Sequence, residues 1–336
     1  MKVALFERPH ALKVTTKEIR PLRPDEVLVK VGACGICGTD VHIVEGMSRS
    51  TPPVVLGHEY AGVVEECGTQ VMGFAPGSAV AVDPNISCGR CFYCQRGMVH
   101  LCENLRALGV DIDGGMAEYS LVPQSQLYEI PADLPTEAKA FIEPVSCAIH
   151  GIDRAHISSG DTVAIVGGGT IGLLMLQLAR SAGASRIIVI EPVEEKKQIA
   201  RELGADHIVD LKDARAAIND LTGVGADVVI ECVGKPQTMQ VALALARRGG
   251  TVEFFGVCTI GETIPIEPNG IYFRELTIVG SYINPNTFTR SIAMLRSGAV
   301  RVDRFRIDRF PLDGVHEALK YQREGKTIKS IVEPNA

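Results

Sequence analysis

Thr162-Val163-Ala164-Ile165-Val166 is an uncharged run that breaks at once into Gly167-Gly168-Gly169-Thr170-Ile171-Gly172, followed by Leu173–Ala182 at helical spacing. A strand with no polar alternation must be buried on both faces, which is the condition of a parallel sheet covered by helices. The glycines fit G-x-G-x-x-G at Gly167, Gly169 and Gly172. After a strand and before a helix, that spacing lets the turn close tightly and brings a pyrophosphate onto the helix N-terminus, with Thr170 and Ile171 opening the helix. The alternation continues. Strand candidates are Arg186–Ile190, His207–Val209, Asp227–Glu231, Thr251–Phe255 and Leu276–Val279, with helix candidates Glu194–Leu203 and Thr238–Arg247 between them. Six strands of this kind predict an α/β chain built on a doubly wound parallel sheet, the full dinucleotide-binding arrangement. Glu191 closes the second strand, where an acid accepts hydrogen bonds from the adenosine ribose. A carboxylate there repels a 2′-phosphate and favours NAD over NADP; Lys196 is near enough to weaken that preference.

The chain before about residue 150 reads differently. Val27–Val31, Ala61–Val64 and Ser78–Val82 are short apolar runs between turns, so this part is β-rich, with a helical pattern only near 133–155. After residue 285 a helix (Thr289–Ser297), an extended run (Phe305–Phe310), a helix (Val315–Glu324) and a strand (Ile328–Val332) are too few to stand alone, and they are expected to return to the first domain. The domains expected are therefore 1–150 with 285–336, and 151–284. The formal charge of −6 argues against nucleic acid as a partner. The absence of a long uncharged apolar run argues against a membrane partner, and the acid at Glu7 against a signal peptide. A cytoplasmic location is expected, where ten cysteines stay reduced and clusters of them read as metal ligands.

Cys88, Cys91, Cys94 and Cys102 place four thiols within fifteen residues, the spacing of a closed tetrahedral zinc site whose role is to fix a loop. Three other segments carry zinc-ligand types: Cys37-Gly38-Thr39-Asp40-Val41-His42, Gly57-His58-Glu59, and Glu143-Pro144. Taken singly, each is weak.

In running order these pieces are G-x-C-G-T-D-x-H, G-H-E, the four-cysteine loop, E-P and the glycine loop. The sequence thereby resembles the zinc-dependent medium-chain dehydrogenases from end to end. Glu143 in the E-P segment, where alcohol dehydrogenases of that family carry cysteine, makes it similar to the sorbitol (polyol) and threonine dehydrogenase branch. The resemblance implies a GroES-like catalytic domain holding both metal sites, a Rossmann domain binding NAD, and two zinc ions per chain. Cys37 and His58 match the constant ligands of the catalytic zinc, and Glu59 and Glu143 match carboxylates that bind it directly or through water. Thr39 matches the hydroxyl that relays the substrate proton, and His42 continues that relay. Val233, Gly256, Val257, Ser281 and Tyr282 match strand-end segments lining the nicotinamide half of the cofactor. The implied activity is oxidation of a secondary alcohol, a polyol or sugar alcohol, to a ketone with hydride transfer to NAD, by a homodimer or homotetramer. Ile283 stands where sorbitol dehydrogenases have an arginine, which argues against sorbitol itself. The alternatives are a threonine 3-dehydrogenase-like or sugar-phosphate dehydrogenase and, in another class, a non-catalytic NAD(H)-binding zinc protein.

Overall fold

The computed structural model describes residues 1–336. The chain forms two compact units. One comprises Met1–Pro144, Asn284–Arg296 and Phe305–Ala336; the other comprises Val145–Ile283 and Ser297–Arg304.

The second unit is built on six parallel strands, numbered here within that unit: β1 (Thr162–Val166), β2 (Arg186–Ile190), β3 (His207–Val209), β4 (Ala226–Glu231), β5 (Ala246–Phe254) and β6 (Thr277–Gly280). Their order across the sheet is β3-β2-β1-β4-β5-β6. β1 is paired on both sides, with Val163 opposite Ile187 and Val228, and every residue of it is buried, as its unbroken apolar text requires. Helices Thr170–Ser181, Glu194–Glu202, Ala214–Thr222 and Pro236–Leu245 connect successive strands. Ala164, Val166, Ile188, Val229, Ala242 and Leu245 belong to the core cluster beneath them. The strand order reverses between β1 and β4, and in open sheets of this kind ligands bind at such a switch point, outside the carboxyl ends of the strands. One expected boundary moves. The helix expected to reach Arg247 ends at Leu245, and the strand begins at Ala246. The Arg247 guanidinium donates from Nε to Asp227 Oδ1 at 2.6 Å and so ties that residue to β4.

The first unit is β-rich. Its largest sheet runs Leu127–Glu129, Ala79–Val82, Glu59–Cys67, Glu26–Gly35, Lys329–Glu333, Ile307–Pro311, with Tyr119–Pro123 also paired to Glu26–Gly35. The last strand of the chain thus lies beside one of its first: Ile331 and Val332 pair with Gly35 and Cys34. A three-stranded sheet of Ala11–Thr16, Lys2–Arg8 and Val54–Val55 completes the core with Phe6, Ile36, Leu56 and Met116. The expectation of a single helical stretch near 133–155 in this part is incomplete. Gly38–Val44 is also helical. The reason is tertiary: Val41 and Ile43 are buried, and Asp40 Oδ2 accepts the Cys37 N–H at 2.8 Å at the helix start. No helix is long and apolar enough to cross a membrane.

Candidate functional site

In the first unit the ends of interior strands of the large sheet meet the short helix. Cys37 immediately precedes Gly38–Val44, and His58-Glu59 opens the strand Glu59–Cys67, whose first residue pairs with Gly35. Ligand atoms of Cys37, His58 and Glu59 all lie within 4.8 Å of one another, and His58 and Glu59 are buried. Glu143 is buried at the start of the helix Ile142–Ala155, outside that group of three. Thr39 and His42 are half-buried one turn apart on the short helix, so they share a face.

Two residues that the sequence motifs leave without a role stand behind this group. Asp40 is fully buried, with Oδ1 3.5 Å from His58 Nδ1. Burial works against a charge on His58, but the Asp40 carboxylate and the Cys37 sulfur hold its pKa well above the ordinary imidazole value. A carboxylate behind a metal-ligating histidine fixes the ring's orientation. The signal was present in the sequence as an acid three residues after Cys37, at a helix-capping spacing. Lys329 is the other. Its side chain is 3% exposed, and its Nζ forms an ion pair with Glu59 Oε2, which is 4% exposed. Burial opposes that ammonium, yet Glu59, Cys37 and Glu143 raise its pKa. Gly35 makes the meeting feasible: a Cβ there would lie 2.8 Å from Lys329 Cε. No local motif announces Lys329, because lysine in a strand reads as a solvated residue.

The second group in this unit is Cys88, Cys91, Cys94 and Cys102, with all four sulfurs within 4.8 Å of one another. Two 3₁₀ turns, Cys94–Arg96 and Val99–Leu101, and the strand pair Asn85–Ile86 with Arg106–Ala107 bring them together. Cys102 Sγ accepts the Cys88 N–H at 3.2 Å and the Asn104 N–H at 3.3 Å. Backbone N–H groups, that of Arg90 foremost, draw the Cys88 thiol down to about 6, while burial pushes Cys94 up to about 11. Four converging thiols with N–H groups on the sulfurs fit the donor set of a closed tetrahedral zinc site.

The second unit positions the glycine loop at the end of β1. Gly167 has φ +103 and donates its N–H to Ile190 O at 2.9 Å; a Cβ there would lie 2.7 Å from Val233 Cγ2. Gly169 precedes the helix Thr170–Ser181, of which Ile171 and Gly172 form the first turn. Glu191, 5% exposed, accepts the Gly168 N–H on Oε2 at 2.7 Å and the Val193 N–H on Oε1 at 2.9 Å. Its carboxylate is therefore fixed between the glycine loop and the start of the next helix. Lys196 is half-buried on that helix. Val233 (40% exposed), Gly256, Val257, Ser281 and Tyr282 follow the ends of β4, β5 and β6, and the buried Ser281 Oγ has no protein partner. A glycine-walled turn at the N-terminus of a twelve-residue helix, an anchored acid at the end of β2 and an orphaned hydroxyl fit a dinucleotide.

Residues 23–132 match the alcohol dehydrogenase GroES-like domain and residues 170–297 the zinc-binding dehydrogenase family. The chain is 34% identical to D-arabinitol dehydrogenase 1 of Uromyces fabae, covering 100% of this chain and 97% of that one. It is 36% identical to L-threonine 3-dehydrogenase of Pyrococcus horikoshii over 92% of this chain and 91% of that one. Among solved structures, a Sinorhizobium meliloti 1021 protein described as a zinc-binding dehydrogenase and bound to NADP superposes with a TM-score of 0.94, at 45% identity and 99% coverage of both chains. With both family domains matched in order and relatives aligned along its whole length, the chain belongs to the zinc-dependent medium-chain dehydrogenases.

Proposed function

We propose that the protein oxidises a secondary alcohol, a polyol or sugar alcohol, to the ketone and passes the hydride to NAD. The observation that carries this reading is the Cys37–His58–Glu59 group, a half-buried thiol beside a buried imidazole and a buried carboxylate, with Asp40 and Lys329 fixing the latter two. Cys37, His58 and one carboxylate, Glu59 or Glu143, would hold a catalytic zinc ion, and Cys88, Cys91, Cys94 and Cys102 a structural one. When bound, the first ion supplies Lewis acidity to the substrate hydroxyl and the nicotinamide supplies the hydride acceptor. The residues of the chain do the rest. Thr39 Oγ1 takes the hydroxyl proton and hands it toward His42, one helical turn on. Asp40 keeps the His58 ring in its ligating orientation. Glu191 holds the adenosine ribose and disfavours a 2′-phosphate. Val233, Gly256, Val257, Ser281 and Tyr282 line the nicotinamide half.

The carboxylate in the donor set and the similarity to D-arabinitol dehydrogenase 1 favour a polyol over a simple alcohol, and Ile283 in place of an arginine argues against sorbitol. L-Threonine is the second reading, supported by similarity to the Pyrococcus horikoshii enzyme. The test is NAD reduction across sugar alcohols, vicinal diols, sugar phosphates, L-threonine and simple alcohols, before and after chelation. Chelator-sensitive turnover of vicinal diols is expected. Zinc-loaded protein that binds NAD yet turns over none of these would move the reading to a binding role. Thr39→Ala is expected to retain zinc and lose on the order of 10²-fold in kcat, the usual worth of a positioned proton acceptor; full activity in that variant would remove Thr39 from the proton path.

The assembly we propose is a homodimer, or a tetramer built from it. β6 is an edge strand, and Tyr272 and Phe273 just before it are 75% and 72% exposed. An open edge beside exposed aromatics is a surface that a second copy covers. The ten unpaired cysteines suit a reducing compartment, the cytoplasm.

A further inference from the structure

Glu231, the last residue of β4, is fully buried beside the switch point of the sheet. Its Oε1 accepts the Val233 N–H at 2.9 Å, the Gly234 N–H at 3.0 Å and the Thr238 hydroxyl at 2.7 Å, and Oε2 accepts Gly234 N–H at 3.1 Å. Its own carbonyl accepts the N–H groups of Phe255 at 3.0 Å and Gly256 at 2.8 Å. One residue therefore holds two strand-end turns: that between β4 and the helix Pro236–Leu245, and that following β5. The turns touch each other backbone to backbone. A Cβ on Gly234 would lie 2.7 Å from Val257 N, and one on Gly256 would lie 2.6 Å from Glu231 Oε2. The chain reaches a third turn through Val233, whose Cγ2 occupies the space a Cβ on Gly167 would need. The glycine loop and the turns after β4 and β5 are thus nested at the carboxyl ends of three neighbouring strands, and a carboxylate sits beneath the last two.

The hydrogen-bond partners of that carboxylate are all donors, so the site demands an acceptor. A buried acid in this place is costly, and burial pushes its pKa up. A core glutamine or an apolar residue would fill the volume without that cost. What the carboxylate adds is a fixed direction for two successive N–H groups, which sets the backbone of residues 232–234.

We propose that Glu231 is a positioning residue for the dinucleotide: without touching the cofactor, it fixes the Val233–Gly234 and Gly256–Val257 turns against the glycine loop and thereby sets cofactor affinity. This rests on the dinucleotide reading above. The experiment uses zinc-loaded full-length protein and its Glu231→Gln, Glu231→Ala and Thr238→Val variants. NADH affinity is read by fluorescence titration, alongside KM for NAD and for the alcohol, zinc content, unfolding midpoint and amide hydrogen exchange.

Losing the acceptor leaves the partly buried N–H groups of Val233 and Gly234 unpaired and the two turns unanchored, so Glu231→Ala is expected to weaken NADH binding about tenfold or more. KM for NAD should rise in step, while kcat at saturating NAD and KM for the alcohol stay within about twofold. Glu231→Gln keeps one carbonyl oxygen and should fall between wild type and alanine; Thr238→Val should lose less than Glu231→Gln. Amide exchange should quicken at 233–234 and 256–257 in the same order. Unchanged NADH affinity in Glu231→Gln and Thr238→Val, with only a lower unfolding midpoint, would overturn the proposal and leave Glu231 a packing residue. Should Glu231→Ala fail to fold, those two milder variants decide. If the wild type binds neither NADH nor NADPH, the dinucleotide reading fails, and exchange at the two turns still decides whether Glu231 fixes them.

Discussion

A lysine within a strand ordinarily points to water, but Lys329 directs its ammonium at a carboxylate inside the fold, and both groups are almost wholly covered. Removing one member of such a pair strands the other as an uncompensated buried charge, which costs about 3–5 kcal/mol. Lys329→Met retains length and apolar volume, so metal-stripped protein should lose stability on that scale. Zinc should restore part of it, because Glu59 can then turn its free charge to the ion. Thermal unfolding of stripped and loaded protein checks this; an equal loss in both forms would show that Glu59 does not reach the metal. Glu253 in β5 is the opposite case. It is fully buried with both carboxylate oxygens unpartnered; burial raises its pKa to about 8, and Arg154 offsets this only in part. An unfolded glutamate ionises near 4.5, so between that pH and about 8 the folded chain binds the extra proton. Stability contributed by this site therefore falls as pH rises through that window, by about 1.4 kcal/mol per unit, and levels off above it. Glu253→Gln should match wild type at pH 5 and melt higher at pH 8. Parallel melting curves at both pH values would mean that Glu253 titrates normally.

At the scale of elements, the loop from Cys88 to Cys102 has little of its own to hold it: two 3₁₀ turns, one two-stranded ribbon at its base and, among its residues, only Cys102 buried. With so small a core, a metal ion supplies the folding free energy of such a loop. Cys94→Ser is expected to lower zinc content from two to one per chain and to open residues 86–107 to protease, with the Cys37–His58 group still loaded. Loss of both ions together would show that the two sites are coupled. The elements also show what could be read from sequence. The strands of the parallel sheet were legible from their short apolar stretches, Thr162–Val166 and Ile187–Ile190 most plainly, whereas the Arg247-Arg248-Gly249-Gly250 opening of β5 carries no apolar signal, so the sequence pattern carries the preceding helix on to Arg247. The helix Gly38–Val44 was not, because Val41, Ile43 and Val44 are β-branched and seven residues are too few to display a period. It is helical through its contacts. Likewise Glu59, Cys37 and His58 are named by short motifs, whereas Lys329 reaches them only through a pairing of distant strands across a glycine, which no local pattern encodes.

At the scale of the whole molecule, the proposed dimer through β6 places a charge-sensitive surface at Tyr272 and Phe273. Phe273→Asp buries a charge in any interface that covers that face, so it should shift the chain toward monomer in sedimentation or light scattering, with the single-chain melting point changed by less than about 1 kcal/mol equivalent, as is usual for an exposed site. An unchanged mass would place the contact elsewhere. The pairing of Ile331 with Gly35 has a consequence for synthesis. On the ribosome the strand Glu26–Gly35 emerges early, and its neighbour follows about 300 residues later. In the interval the sheet has an unpaired edge at Cys34–Gly35, and Glu59 has no ammonium beside it. The β1–β6 sheet, by contrast, draws all its strands from one continuous stretch, Thr162–Gly280, which is made in full before Lys329, and domains generally fold as units during synthesis. A growing chain can therefore acquire its dinucleotide fold while its metal group still waits for the last strand, and until then that open edge stays available for pairing with other chains.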